Sequence, residues 1–199
     1  MVLLLSIVTR CDELPLTRRE VCQEVWEVCH FVHTPLTGKI FEMRKRHLFH
    51  LSIFKDMTSE QQELLLPLID LCTFPADLTI FKQGDPASHL YIIESGMVDI
   101  VFKPSDGPAM TVARLTSGGV FGWSATLGRD KYTSAACTIM DSKTYRIEGA
   151  RLRKLCEDHP DTGVVILDRL ALAIAQRLEV THGKVMSVLN QGMDLNYDL

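Results

Sequence analysis

The feature that most constrains this chain is a succession of short β-type runs between Leu78 and Ile147, each bracketed by turn chemistry. LTIF, LYII, MVDIVF and MTVARL are about four to seven residues long. They are separated by Gln83-Gly84-Asp85-Pro86, Glu94-Ser95-Gly96, Ser105-Asp106-Gly107-Pro108 and Ser117-Gly118-Gly119. Glycine tolerates positive φ, and Asp, Ser and Pro favour the corners of turns, so each separator reverses the chain rather than extending it. In MVDIVF and MTVARL apolar and polar residues alternate, which turns one face of each strand inward. Two further strands are expected at residues 134–140 and 143–147. Such strands suit a small antiparallel roll of two sheets, not a parallel sheet with helical crossovers.

Helical patterns flank this region. After RKRHLFHLSIFKDM, Thr58 and Gln61 form a capping-box pair, and Leu64, Leu65, Leu68, Ile69 and Leu71 supply an apolar stripe behind it. Pro67 lies inside the stripe and should kink the helix or divide it from a following turn. Residues 148–157 read as a short helix broken by Asp158-His159-Pro160, after which Asp161 or Thr162 caps a long helix to about Leu189. Within it Leu167, Ala171, Ile174, Leu178, Thr181, Val185 and Val188 recur at alternating spacings of four and three, the a/d seam of a paired helix. That seam covers about thirty ångströms of helix, more than a small roll covers, and predicts a homodimer; the alternative is that the face packs on its own roll. The fold class expected is α+β: an antiparallel β-roll (double-stranded β-helix or jelly roll) flanked by N-terminal and C-terminal helices. Its domain spans residues 43–190, with a tail at 191–199 and a dispensable extension at 1–42, where no apolar period is sustained.

Composition removes several classes of function. The net charge of −4 gives no global attraction to nucleic acid or anionic membrane. The opening MVLLLSIV lacks a positive flank and is too short to span a bilayer, so neither export nor a membrane partner is expected. Six scattered cysteines without CxxC spacing predict a reducing, cytoplasmic setting. Cys22, Cys29, His30 and His33 fit no closed tetrahedral zinc pattern, and no metal site is expected. Among the strands only His89 offers an imidazole, whereas metal chemistry inside a roll needs several converging His and carboxylate ligands. Ser124 follows a strand but no motif pairs it with a His and an acid, so no catalytic residues are assigned and an enzyme is not expected.

One stretch carries a family resemblance. IFKQGDPASHLYIIESG, from Ile80 to Gly96, resembles the first signature of the cyclic nucleotide-binding domain family: a strand end, Gly84-Asp85, a small residue at Ala87, four apolar residues and Gly96. The resemblance implies that FGWSATLGRDKYTSAACT, Phe121 to Thr138, is the phosphate-binding cassette. In the family Phe-Gly-Glu opens a short helix whose Glu binds the ribose 2′-hydroxyl, and an Arg followed by Ser/Thr-Ala binds the cyclic phosphate. Here Gly122 and Ala125 match, but Trp123 stands at the Glu position, Tyr132 at the Arg, Thr133 at the adjacent hydroxyl and Ser134 at the Ala, with Arg129 and Lys131 close by. A guanidinium makes two charge-assisted hydrogen bonds to phosphate, each about 1.5–3 kcal/mol, where Tyr132 has one neutral donor. Ordinary cyclic-nucleotide affinity should therefore be missing. Backbone amides near Trp123, Ser124 and Ala125, with Thr133, are left as an anion cradle. Trp123 either fills the pocket by packing or stacks on a ligand.

AIAQRLEVTHGKV, Ala173 to Val185, is similar to the C-helix of Crp/Fnr-type (catabolite activator) regulators. The resemblance implies that Thr181 and His182 reach the nucleotide base across a dimer; otherwise Thr181 is a seam residue and His182 a solvated one. It does not extend to a winged helix-turn-helix, so direct DNA binding is not expected. The reading is a stand-alone sensor or regulatory domain with a degenerate cassette. Its ligand is a cyclic nucleotide or other small phosphate-bearing anion, and it signals through its C-terminal helix to an unidentified protein partner. The alternative is a ligand-free structural or protein-interaction module.

Overall fold

The computed structural model describes the backbone of residues 48–194 and the side chains of residues 48–179. The extension at 1–42, with its cysteines and histidines, lies outside the described residues. Leu48, Ile53, Phe54 and Met57 are buried, and Ser52–Phe54 forms a single 3-10 turn. Thr58 then caps α1 (Ser59–Leu65) with the expected capping box: its hydroxyl accepts from the Gln61 N–H, and the Gln61 side chain accepts from the Thr58 N–H.

The helix is shorter than the apolar stripe predicts. A 3-10 turn at Leu66–Leu68 contains Pro67, which has no N–H to continue the ladder, and Ile69–Phe74 leaves it as strand β1. Ile69 and Leu71, expected on a helical face, instead pair with Ile147 and Tyr145 of β8 (Ser142–Glu148). A short apolar run satisfies either period, and a free partner strand decided it.

The remaining strands are β2 (Thr79–Phe81), β3 (His89–Ser95), β4 (Val98–Phe102), β5 (Met110–Leu115), β6 (Val120–Phe121) and β7 (Ala135–Thr138). They form two four-stranded sheets, β1-β8-β3-β6 and β2-β7-β4-β5, with every pairing antiparallel. This is the β-roll expected. Strand β3 shows why LYII is continuously apolar: Leu90 and Ile92 pack toward the helices, while Tyr91 and Ile93 pack between the sheets with Phe74, Phe81, Val98 and Phe121. At the β3–β4 turn Gly96 has φ +104°, and an added Cβ would lie 2.3 Å from the Ser142 hydroxyl oxygen, so only glycine fits.

Helix α2 (Gly149–Asp158) and helix α3 (Pro160–Asp194) close the other face of β3 and β8 through Leu152, Leu155, Ile166 and Leu170. Helix α3 begins at Pro160 rather than at a cap on Asp161 or Thr162, because proline is preorganised for the first helical position. It runs to Asp194, past the end expected at about Leu189. The face opposite Ile166 and Leu170 is apolar and exposed: Val164 is 67% accessible, Leu167 50% and Leu178 64%.

Candidate functional site

At the end of β6 the chain makes a left-handed turn at Gly122 (φ +76°), where an added Cβ would meet the His89 carbonyl oxygen at 2.6 Å. Glycine is thus required to bring the next residues against β3. Trp123–Ala125 is one 3-10 turn with Ser124 and Ala125 buried. The Thr126 hydroxyl donates to the Trp123 carbonyl at 2.8 Å, the Arg129 N–H donates to the Ser124 carbonyl, and an Arg153 side-chain N–H donates to the Ala125 carbonyl. The Ala125 N–H is itself bonded to the Gly122 carbonyl at 3.1 Å, so the expected amide cradle is smaller than the sequence suggests. A turn this tight directs its N–H groups at its own carbonyls.

The far arm of the same loop is tied to the turn after β2. The Gly84 N–H donates to the Tyr132 carbonyl, the Tyr132 N–H to the Asp85 carbonyl, and the Ala87 N–H to the Asp130 carbonyl, each at 2.9 Å. Tyr132 is buried, its ring stacked on Phe81 with centroids 3.7 Å apart. Its hydroxyl donates to the His89 carbonyl (2.8 Å) and accepts from the His89 N–H (2.9 Å). Burial pushes the Tyr132 phenol pKa up, so this hydroxyl stays protonated and able to donate. The ring of His89 is held at Nδ1 by the Ser88 hydroxyl at 2.8 Å. Burial, reinforced by the Arg146 cation and opposed by Asp70, pushes its pKa down to about 4.

Between the two arms lies a small, open-mouthed cavity of about 30 Å³. Gly122, Trp123, Ser124, Tyr132, Thr133 and Ser134, all expected at the site, line it together over an apolar floor of Phe81, Ile100 and Phe121. Ala125 is buried in the turn and does not face it. Arg129 and Lys131 are placed elsewhere: they line a separate, open groove beside Phe102 and Gly128, which only Tyr132 and Thr133 share with the cavity. Thr181 and His182 lie on α3, but their side chains fall outside those described.

One residue missing from the sequence reading completes the wall. Arg177 of α3 reaches the cavity and places its guanidinium carbon 4.5 Å from the centroid of the Trp123 ring, a cation–π contact. Burial pushes its pKa down without removing its charge at neutral pH. The signal that finds it is helical period: Ile166, Leu170 and Ala173 face the roll, and Arg177 is the next position on that stripe. Trp123 packs on the helical core beneath it. No carboxylate stands among the described residues lining the cavity, which therefore presents one cation, three hydroxyl-bearing side chains besides Tyr132, and an indole. Among the described residues no cluster of three or more His, Cys, Asp or Glu is placed to hold a metal ion, and no described helix is long and apolar enough to cross a membrane.

Residues 71–159 match the sequence model of the cyclic nucleotide-binding domain. The chain is 29% identical over 137 residues to the cAMP-activated global transcriptional regulator CRP of Escherichia coli, covering 66% of this chain and 61% of that one. It is 28% identical over 116 residues to a CRP-like cAMP-activated global transcriptional regulator of Mycobacterium tuberculosis, covering 58% of this chain and 50% of that one. It thus spans between half and about three-fifths of the length of these curated relatives. The structure of a cyclic nucleotide-binding domain from Methylobacillus flagellatus superposes with a TM-score of 0.65 at 19% identity, over 75% of this chain and 84% of that chain, and shares the fold.

Proposed function

We propose, from the premise that residues 71–159 are a cyclic nucleotide-binding domain homologous to the sensor region of Crp/Fnr regulators, that this domain is a regulatory sensor for a small phosphate-bearing anion. The observation that carries this reading is the cavity at the cassette, where Arg177 joins Thr133, Ser134 and Ser124 and the described lining residues include no carboxylate. Because that cation belongs to α3, occupancy of the cavity bears directly on the helix whose outer face is apolar and exposed at Val164, Leu167 and Leu178. That face is matched to a second copy of the chain, and the signal passes through the paired helices to a protein partner. Catalysis is no part of the proposal: the relatives are regulators, and the cavity brings together no nucleophile and base pair.

Cyclic nucleotides themselves should bind weakly. Trp123 and Tyr132 stand where the family has its ribose-reading carboxylate and phosphate-reading guanidinium, and the Tyr132 hydroxyl is already engaged by His89. The same observation favours a second reading, an interaction module whose pocket is filled by its own side chains. Calorimetric titration of the full chain with cAMP, cGMP, AMP and inorganic phosphate separates the two. Saturable heat from at least one phosphate-bearing probe, with cAMP no tighter than micromolar, is expected. Silence from all four would leave the interaction module standing, and submicromolar cAMP would overturn the account of Trp123 and Tyr132.

A further inference from the structure

Beside the cassette cavity of about 30 Å³ lies a groove of about 720 Å³ that the sensor reading leaves unused. Its frame is fixed by hydrogen bonds. The Gln83 side-chain amide donates to the Lys103 carbonyl at 3.1 Å and accepts from the Lys103 N–H at 2.9 Å, which ties the turn after β2 to the end of β4. The Ala87 N–H donates to the Asp130 carbonyl, which ties the arm bearing Arg129 and Lys131 to the same turn. Phe102, 37% accessible and in register with the exposed Met110, opens into this frame beside the two cations. Arg129 and Lys131 are exposed, and neither makes a salt bridge with the described residues. Asp130 is the single carboxylate among the described lining residues, so the lining carries an excess of positive charge in a chain whose net charge is −4. An exposed aromatic ring beside two unpaired cations fits an acidic segment with an apolar anchor.

The chain carries such a segment. Residues 20–28, EVCQEVWEV, hold Glu20, Glu24 and Glu27 among Val21, Val25, Trp26 and Val28. Basic residues stand on both sides of this stretch, at Arg18, Arg19 and Lys39, but not within it. We propose that this segment of the N-terminal extension docks in the groove of its own chain, its carboxylates meeting Arg129 and Lys131 and the Trp26 indole covering Phe102. The residues between it and Leu48 span up to roughly 65 Å at about 3.3–3.6 Å each, against a domain roughly 40 Å across, so the tether reaches. Such a tether supplies an effective concentration up to about the millimolar range, and a contact too weak for a free peptide is enough. The buried cluster is already built from Leu48 onward, which makes the docked segment a cover for the roll and not part of its core. Tyr132 and Thr133 line both the groove and the cassette cavity, so the cover bears on the cassette loop. The contact stands whether or not that cavity takes an anion.

The test uses the full chain carrying Trp123→Phe, which leaves Trp26 as the sole indole. Its emission maximum and its quenching by acrylamide are compared with those of the same chain carrying Arg129→Glu and Lys131→Glu. Charge reversal is expected to shift Trp26 emission to longer wavelength and to raise quenching severalfold. Adding Glu24→Lys and Glu27→Lys to the reversed chain should restore both. High salt should act in the same direction as reversal, because exposed charge pairs are screened. If Trp123→Phe fails to fold, hydrogen exchange at residues 20–28 in the chain with both indoles reads the same contact, and should quicken on reversal. Trp26 emission and exchange that charge reversal leaves unaltered would overturn the proposal. A contact that forms only as protein concentration rises would give the groove to the extension of a second copy, and would overturn docking within one chain.

Discussion

Tyr132 stands where the family resemblance leads one to expect a phosphate-reading guanidinium, and its surroundings explain what it does in this fold. Stacked on Phe81 and bonded twice to the His89 backbone, it pins the loop to the start of β3. Tyr132→Phe keeps the stack and removes both bonds, so a loss of about 1–3 kcal/mol is expected, read as a lower denaturant midpoint at unchanged slope. His89 gives the second residue-level prediction. Its pKa of about 4 in the folded chain lies below the ordinary 6.5, so between these values the unfolded chain binds a proton that the folded chain refuses. The contribution of His89 is therefore complete above about pH 7 and is lost as pH falls from 6.5 toward 4. Allowing for partial solvent screening, it amounts to about 2 kcal/mol at most. Denaturant midpoints measured between pH 7.5 and 4.5 should show that decline, and His89→Gln should flatten it.

Among the elements, α3 divides its two faces most sharply. Ile166 and Leu170 are buried on the roll, whereas Val164, Leu167 and Leu178 stand in solvent in the single chain. The a/d seam read from the sequence thus falls at Leu167 and Leu178 on the side away from the roll, while Ile174 is half-buried between the faces. Leu178→Asp disturbs no core packing among the described residues but would place a charge inside a paired seam, at several kcal/mol. Sedimentation should show a dimer become a monomer with little change in the melting of the domain. An already monomeric parent chain would remove the seam as an interface.

At the scale of the whole molecule, the roll depends on what precedes it. Leu48, Ile53, Phe54 and Met57 belong to the cluster that includes Leu90, Ile147 and Leu170. A chain beginning at Met43 keeps all four and is expected to melt as the full chain does. One beginning at Ser59 loses roughly 1.5–3 kcal/mol of burial per side chain, a sum comparable to the stability of a whole domain, and should not fold cooperatively. Circular dichroism melts of the two shortened chains check this, and a cooperative Ser59 variant would show that the N-terminal pad is dispensable.

Much of this architecture was legible in local chemistry. The turn residues between strands, the capping box at Thr58 and Gln61, and the period of the C-terminal helix each act over a few residues, so the sequence alone determined a β-roll flanked by helices. Long-range pairing decided the rest. Residues 69–71 fit a helix or a strand equally by pattern, and became β1 because β8 offers them a register from Ile69 to Phe74. The left-handed turn at Gly122 and the buried Ala125 agree with the pattern Phe121-Gly122 and Ala125, but the division of the nearby cations was not legible. Arg129 and Lys131 are near Tyr132 in sequence yet open onto another groove, while Arg177, 54 positions after Trp123, comes to stand over its ring. Sequence spacing fixes the face of an element on which a side chain lies; which cavity that face meets depends on how helix and sheet pack.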